Sequence, residues 1–285
     1  MKFRFLLLLL GVGVLARAAT PTEEATALYR QKRYPEAREA LEKIVAAEPN
    51  NAAACYYLGM TLRHRGDSTA LDDASKWLEK AVALEPGNAT YLADFGGNSM
   101  QLASKNRSFS AATRGRDAME KSLALNPENL EARQGLWRFY AEAPWPLGSS
   151  SKAAAQLEEI RKRDPERALT LAVATKTAAK DFDGAFKLSE EVLGKNPNDF
   201  TALYQYGRTA SLAGQNLTRG LECLQKCLTL HAPTSASAQP THIWVRIGVI
   251  EEKLGHGNEA RAAYETALKL DANNKTASDA LAKLK

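Results

Sequence analysis

Residue types that catalyse reactions or bind metals are scattered along the chain and form no known motif. The four histidines are His64, His231, His242 and His256, and none belongs to an H-E-x-x-H sequence. There is also no G-x-S-x-G sequence, no glycine-rich phosphate loop and no Cys-x-x-Cys pair. We therefore expect the histidines to lie in solvated loops or at helix ends. The pattern predicts no catalytic site, no cofactor and no metal, and hence no enzyme.

Two pairs of adjacent carboxylates could serve acid–base chemistry if both members faced one site. They are Asp72 with Asp73 and Glu158 with Glu159, and each pair lies in a segment predicted to be helical. Adjacent residues of an α-helix point about 100° apart, so the members of a pair cannot share one proton. We expect both pairs to lie on exposed helix faces.

The three cysteines, Cys55, Cys223 and Cys227, are not the even, spaced set of a disulfide framework. Cys223 and Cys227 stand four residues apart on a predicted helix, where Cβ atoms are about 6 Å apart. A disulfide needs about 4 Å, so a bridge between them would be strained. We expect the cysteines to be small buried residues where helices contact one another. No histidine or acidic residue is placed to complete a metal site with the pair.

The first 18 residues have the three-part layout of a bacterial secretory signal. Lys2 and Arg4 come first, Leu6 to Leu15 is almost wholly apolar, and Ala16-Arg17-Ala18 has the small residues that signal peptidase reads. The apolar run is about half the length that a hydrocarbon core requires. We expect cleavage after Ala18 and a periplasmic or secreted protein. The alternative is an uncleaved N-terminal anchor.

The net charge of +5 is partly due to that leader. Lys2, Arg4 and Arg17 contribute three positive charges without an accompanying acid, so subtracting three from five leaves +2 for the rest of the chain. So small a balance, without a basic run interleaved with aromatic residues, predicts no nucleic-acid binding. No later segment is long and apolar enough to span a membrane, and we expect the processed chain to be soluble.

Self-similarity at a fixed spacing is the strongest pattern in the sequence. It is clearest near the C-terminal end, where residues of fixed type follow in order: Trp244, Ile247, Gly248, Leu254, Gly255, Ala260, Tyr264 and Ala267. This order resembles the tetratricopeptide repeat, a helix pair of about 34 residues with the pattern W-x2-L-G, then A-x3-F-x2-A, then P. Similar units recur upstream, so the resemblance covers residues 19 to about 274.

The resemblance implies an all-α fold, a right-handed α-α superhelix (TPR solenoid) of about seven helix pairs plus a C-terminal capping helix. After the signal peptide at 1–18, the solenoid would occupy residues 19–274 and the capping helix residues 275–285. Its repeats would span residues 19–51, 52–88, 89–129, 130–165, 166–199, 200–234 and 241–274. An ordinary helical bundle is the alternative, since Leu and Ala at helical spacing would suit it as well.

Similar short phrases recur where each helix pair should end, for example Ala-Ala-Glu-Pro-Asn at 46–50 and Ala-Leu-Glu-Pro-Gly at 83–87. Proline stops the second helix because its ring and its missing N–H cannot continue the hydrogen-bond ladder. Glycine or alanine at the eighth position of a repeat would let the two helices of the pair approach closely.

The second, third and fourth repeats are longer than the pattern. Their extra residues are predicted to form surface loops at 65–73, 104–116 and 143–152. A linker rich in Pro, Ser and Ala at 231–240 precedes the seventh repeat. These insertions either modify the binding surface or are tolerated without a function.

The most unusual of these segments places Trp145 between Pro144 and Pro146. The prolines stiffen the chain around a large apolar side chain. Trp145 is therefore either an exposed anchor for a partner or a side chain packed over its own helix pair.

The first helix of each pair in tetratricopeptide repeat proteins lines a concave groove that binds extended peptides or a helix of a partner. The repeat register therefore implies groove-facing residues: Tyr56, Met60, Arg63, Gln134, Arg138, Tyr204, Arg208, His242, Val245 and Val249. Arginine beside tyrosine suits a partly apolar peptide that carries carboxylates. The Lys/Asn set with which some family members clamp chaperone tails is not found at these positions, so chaperone C-termini are not expected. A solvated groove wall is the alternative for each residue.

Three functions fit these features. The first is a non-enzymatic scaffold or adaptor that binds a protein or peptide partner in the bacterial envelope. The second is a small-ligand or glycan-binding protein, which clustered exposed aromatic residues would favour. The third is a regulatory subunit of an envelope enzyme, which a large apolar patch on the convex side would favour. A homo-oligomer formed through an end repeat is compatible with all three.

Overall fold

The helical character predicted from the repeats is confirmed. The computed structural model describes residues 19–64, 68–144, 146–230 and 239–284, and within them it has fifteen α-helices and no β-strand. In chain order these are α1 (Pro21–Arg30), α2 (Tyr34–Ala47), α3 (Ala52–Arg63), α4 (Ser68–Leu84), α5 (Ala89–Asn106), α6 (Phe109–Leu125), α7 (Leu130–Glu142), α8 (Ser150–Arg163), α9 (Pro165–Ala178), α10 (Phe182–Leu193), α11 (Phe200–Ala213), α12 (Leu217–Thr229), α13 (Pro240–Leu254), α14 (Gly257–Leu270) and α15 (Lys275–Lys283).

Five predicted features lie wholly or partly outside the described residues. They are the signal peptide at 1–18, residues 65–67 of the first predicted loop, Trp145, residues 231–238 of the linker and Lys285 at the end of the capping helix. Among the described residues, no helix is both long and apolar enough to cross a bilayer.

The chain divides into two compact units between Gly148 and Ser149, inside the predicted fourth repeat. Unit 1 contains α1 to α7 and unit 2 contains α8 to α15. In unit 1, α1 packs on α2, α3 on α4 and α5 on α6, while α7 packs on both α5 and α6. The first helices α1, α3, α5 and α7 also contact one another in sequence order. Its core includes the following apolar side chains: Leu41, Leu58, Leu78, Leu92 and Phe95.

Unit 2 repeats this arrangement. Helix α9 packs on α10, α11 on α12 and α13 on α14, and the first helices α9, α11 and α13 contact one another. Helix α8 packs on α9, and α15 packs on α14. The main core includes Val173, Leu203, Leu224, Ile247 and Ile250. A second apolar cluster, centred on Tyr264, joins α13, α14 and α15.

The recurring proline phrases lie between a second helix and the next first helix. Helix α2 ends at Ala47, two residues before Pro49, and α4 ends at Leu84, two residues before Pro86. The polar residue that follows each phrase then begins the next helix. Asn51 Oδ1, for example, accepts a hydrogen bond of 3.0 Å from the backbone N–H of Ala54, which satisfies one of the donors left open at a helix start. The proline of each phrase therefore marks the end of one helix, and the polar residue directly after the phrase caps the next helix.

Glycine at the eighth repeat position allows two helices of a pair to touch. A Cβ atom built on Gly207 of α11 would lie 2.9 Å from the carbonyl oxygen of Gly220 on α12 and would overlap the side chain of Leu224. A larger side chain at this position would separate the helices and open the core between them.

The prediction of surface loops in the long repeats is largely wrong, because most of the described residues in these segments are helical. Residues 104–116 lengthen α5 and α6, which leave only Arg107 and Ser108 between them. Ser108 Oγ accepts from the backbone N–H of Ala111 at 3.2 Å, so it caps α6 early. Residues 68–73 likewise belong to α4. In the third segment only residues 143–149 are outside a helix.

Candidate functional site

Three first helices of unit 1, with a few residues of α4 and α6, line an open groove with a volume of about 1080 Å³. Side chains from α3, α5 and α7 contribute to it, together with the turn between α5 and α6 and the segment after α7. The polar and charged lining residues include Arg63, Asp94, Gln101, Glu131, Gln134, Arg138 and Glu142. Three of the five groove residues predicted for this unit, Arg63, Gln134 and Arg138, are therefore brought together in one groove.

The centre of this wall is a hydrogen-bonded group on α3 and α5. Tyr56 Oη donates to Asp94 Oδ2 at 2.6 Å, and Arg63 Nη1 lies 3.6 Å from Asp94 Oδ1. Burial raises the pKa of Asp94 above its usual value, while the hydrogen bond from Tyr56 and the charge of Arg63 act in the opposite direction. The carboxylate is thus held by two neighbours of the preceding first helix, which fixes α3 against α5.

Two further residues of α5, Gly97 and Gln101, contact the side chain of Arg63. Its Nε lies 3.4 Å from Gln101 Oε1, and its guanidinium lies over Gly97, where an added Cβ would approach Nη2 to 3.3 Å. The lack of a side chain at Gly97 therefore makes room for the planar guanidinium. Asp94, Gly97 and Gln101 were not predicted, because each acts on a residue of a different repeat more than 30 positions away in the sequence.

The two predicted residues of α7 differ in exposure. Arg138 is exposed, and its Nε is 3.9 Å from Glu142 Oε1 on the same helix, while Gln134 is half-buried. An exposed pair at this distance contributes little to stability. Arg138 can therefore turn towards a bound partner at small cost.

Part of the groove lining is apolar. Phe109, the first residue of α6, lines the groove with 58% of its area exposed, and Met100, Phe139 and Leu147 also line it. Phe109 was not predicted, because this position was expected to lie in a surface loop. A large aromatic side chain exposed beside a groove is a usual contact point for a partner.

The remaining predicted residues of unit 1 have little surface to offer. Tyr56 is buried, with its ring stacked on Tyr91 at a centroid distance of 4.3 Å. Met60 is partly buried against the core of the unit. Neither side chain lines the groove, and Tyr56 acts on its wall through the hydrogen bond to Asp94.

Unit 2 carries a different arrangement of charge. Tyr204 is buried and Arg208 is half-buried on α11. Arg246 of α13 lies next to them, with Nη1 3.5 Å from Ser211 Oγ on α11. Burial, and after it the charge of Arg246, lower the pKa of Arg208. Arg246 was missing from the predicted set, because the register placed it beside the groove positions of α13.

The predicted residues of α13 mostly face the apolar cluster with α14 and α15. Val245 is buried in that cluster beside Tyr264 and Ala277, and Val249 packs against it. His242 is exposed at the start of α13. Helix α15 thus occupies the side of α13 on which the two valines lie.

A cluster of aromatic rings at the ends of α1, α2 and α3 was not predicted. The rings of Tyr34 and His64 are stacked, with centroids 3.9 Å apart, and Tyr29 contacts both of them. Tyr57 contacts Tyr29 at 5.4 Å. The three tyrosines are half-buried and His64 is exposed. We refer to these four residues as the aromatic cluster.

The residues that could bind a metal do not converge in the part of the chain that the structure describes. That part has no group of three or more His, Cys, Asp or Glu side chains that could hold a metal ion. Cys55, Cys223 and Cys227 are free and buried. Burial raises the pKa of Cys223 to about 11 and that of Cys227 to about 12, so neither is an activated thiolate.

Comparison with known proteins identifies the repeats. Models of the tetratricopeptide repeat match residues 22–89 and residues 241–274. The first match covers α1 to α4 and the second covers α13 and α14. The chain therefore carries tetratricopeptide repeats in both units. No curated protein matches the chain in sequence.

Solved structures of tetratricopeptide repeat proteins have the same fold. A tetratricopeptide repeat protein from Parabacteroides merdae is 18% identical, with a TM-score of 0.60 over 92% of this chain and 96% of that chain. Yeast Tom70 is 16% identical, with a TM-score of 0.65 over 89% of this chain and 51% of its own. Cut9 with Hcn1, from the APC/C, is 17% identical, with a TM-score of 0.50 over 93% of this chain and 48% of that chain. At these identities the similarity shows the fold alone.

Proposed function

We propose that this chain is a non-enzymatic scaffold that binds a segment of a partner protein on its first helices, and that it works in the bacterial envelope after export. The groove of unit 1 carries this proposal. Side chains of three successive first helices line one open volume of about 1080 Å³, which lies at the upper limit of the range of about 300–1,000 Å³ usual for small-molecule sites. A peptide segment or one face of a helix suits a groove of this size.

The chemistry of the groove supports the same conclusion. Asp94 and Arg63 are already paired across α3 and α5, so this part of the wall is rigid and its charges are balanced. Arg138 is exposed and Gln134 half-buried on α7, which provides hydrogen-bond donors for the backbone or side chains of a peptide. Phe109 adds an exposed apolar contact to the lining. Rigid, mixed polar and apolar walls favour a protein partner over a reaction.

Site-specific photo-crosslinking tests the groove. A benzophenone amino acid at position 138 in the groove would be compared with one at position 121, where Lys121 is exposed on α6 and does not line the groove. We expect one partner to crosslink at 138 and not at 121. We also expect Arg138→Glu to reduce capture of that partner and Lys121→Glu to leave it unchanged. Equal crosslinking at both positions would contradict a groove-bound partner.

The envelope location rests on the leader at residues 1–18, which lies outside the described residues. Fractionation of cells that express the full chain tests it. We expect the chain in the periplasm or medium, with Ala19 as its first residue. Replacement of Leu8 by Arg should interrupt the apolar run and keep the chain in the cytoplasm. A wild-type chain that retains residues 1–18 in the cytosol would overturn this part of the proposal.

The aromatic cluster favours a second candidate function, binding of a glycan. Sugars stack on exposed aromatic rings, and Tyr34 and His64 already form a stacked pair at the surface of unit 1. Titration with soluble cell-wall glycan fragments, followed by the fluorescence of the tyrosines, would show saturable binding in the wild type and none in Tyr34→Ala. Leu125→Ala, at an exposed position remote in sequence from the cluster, is the control. Lack of any binding by the wild type would exclude this candidate.

A further inference from the structure

Two arginines of unit 2 lie on neighbouring first helices, and neither has an acidic partner among the described residues. Arg208 belongs to α11 and Arg246 to α13, the neighbouring first helix. Ser211 brings the guanidinium of Arg246 close to the backbone of Arg208, because its Oγ donates to the carbonyl oxygen of Arg208 at 2.7 Å and lies 3.5 Å from Arg246 Nη1. The guanidinium of Arg246 is therefore held over the turn of α11 that carries Arg208.

The charge at this position is unbalanced. Within the described residues, neither guanidinium pairs with a carboxylate, and the charged neighbour that acts on Arg208 is Arg246 itself. Arginines elsewhere are arranged differently: Arg63 pairs with Asp94, and Arg219 pairs with Glu190 and Glu222. Placing a half-buried cation beside a like charge costs free energy in the unbound protein. A bound anion would remove that cost.

We propose that Arg208 and Arg246 bind a carboxylate of an acidic side chain in the partner segment. This inference rests on the proposed function and names the chemistry that unit 2 recognises. Each guanidinium presents paired N–H donors in a planar fork that matches a carboxylate. Leu212, with 45% of its area exposed on the next position after Ser211, offers an apolar contact beside the charge. The preferred segment is thus acidic with an apolar neighbour.

Fluorescence anisotropy with a labelled hexaglutamate peptide tests the site, and hexaglutamine of the same length is the uncharged control. We expect the purified chain to bind hexaglutamate at low salt and more weakly as the salt concentration rises. The variant R208Q/R246Q should bind at least about tenfold more weakly. Arg219→Gln removes an arginine of the same unit that already has acidic partners, so it should bind as the wild type does.

The stability of the variants provides a second readout. Because the pair is repulsive when unbound, the unfolding midpoint of R208Q/R246Q should equal or exceed that of the wild type. Equal affinity for hexaglutamate and hexaglutamine, or unchanged hexaglutamate binding by the double variant, would overturn the inference. Stronger displacement by inorganic phosphate than by acetate would overturn its assignment to a carboxylate. In each of these cases, a partner that still crosslinks at position 138 would leave the proposed function intact.

Discussion

The hydroxyl of Tyr56 on α3 donates a hydrogen bond of 2.6 Å to the carboxylate of Asp94 on α5. Asp94 is mostly buried, and burial raises its pKa above the ordinary value of 3.8. A partly buried carboxylate depends on such donors to remain charged. The pair therefore connects two repeats through one hydrogen bond whose strength depends on pH.

We expect Tyr56→Phe to lower the free energy of unfolding at neutral pH by about 1–3 kcal/mol, because the charged carboxylate loses its donor. A carboxyl group with a higher pKa in the folded than in the unfolded chain stabilises the fold at pH values below its pKa in the unfolded chain. This contribution is lost as the pH rises through its pKa in the folded chain. Removal of Tyr56 Oη raises the pKa of Asp94 further, so the deficit should be largest at neutral pH and shrink as Asp94 is protonated. Urea unfolding between about pH 7 and about pH 4 measures this difference.

Tyr91→Phe is the control for this substitution. The ring of Tyr91 stacks on that of Tyr56, and its hydroxyl makes no hydrogen bond to a carboxylate among the described residues. Its effect on stability should be smaller and should not change with pH over the same range. A pH-independent deficit in Tyr56→Phe would show that the hydrogen bond to Asp94 does not control the titration of that carboxylate.

The close contact of α11 with α12 at Gly207 predicts that even a methyl group added at this position lowers the stability of the fold. In Gly207→Ala the new methyl group would meet Gly220 O at 2.9 Å and overlap Leu224. We expect a loss of about 1–3 kcal/mol in the free energy of unfolding, because the two helices must separate or Leu224 must leave its position. Gly257→Ala at the start of α14, where nothing lies within 4 Å of the new Cβ, should leave the free energy of unfolding unchanged or raise it by up to about 1 kcal/mol. Similar effects of the two variants in urea unfolding would contradict close packing at Gly207.

The helix pairs could be predicted from the sequence because their signals are local. Glycine or alanine between apolar residues at helical spacing, and proline two residues beyond a helix end, act through neighbours within one repeat. The prediction for residues 104–116 was wrong, because their extra length was assigned to a loop. Ser108 caps a helix there, and the additional residues extend α5 and α6 instead.

The candidate site was less predictable because it depends on contacts between repeats. Arg63 could be placed on the groove side of α3, whereas its partners Asp94 and Gln101 belong to the next repeat. The depth of a side chain also depends on the neighbouring helix: Tyr204 has the register of a groove residue and is 7% exposed. A single sequence indicates the direction of a side chain and does not indicate which neighbour covers it.

Residues that follow a helix adopt the left-handed region in this chain both at glycine and at other residue types. Lys180, after α9, has φ of 58°, and Gly255, after α13, has φ of 84°. Such a conformation costs an L-residue about 1–2 kcal/mol, although glycine loses more conformational entropy on folding. Lys180→Gly should therefore stabilise the chain by about 0.5–1 kcal/mol. Gly255→Ala, where the new Cβ meets nothing within 4 Å, should destabilise it by a similar amount. Thermal unfolding of both variants checks the opposite signs, and two changes of the same sign would refute the backbone explanation.

The cysteines of α12 should be unreactive in the folded protein. Only the thiolate attacks a disulfide reagent, and burial raises the pKa of Cys223 to about 11 and that of Cys227 to about 12. Cys55 is also buried, with a raised pKa. We expect a thiol-specific disulfide reagent at mildly alkaline pH to label none of the three until urea unfolds the chain, and then to label all of them. Ser151→Cys, at an exposed position of α8, should add one thiol that reacts at once. Fast reaction of the wild-type chain without urea would show that α12 opens readily or that its thiols are exposed.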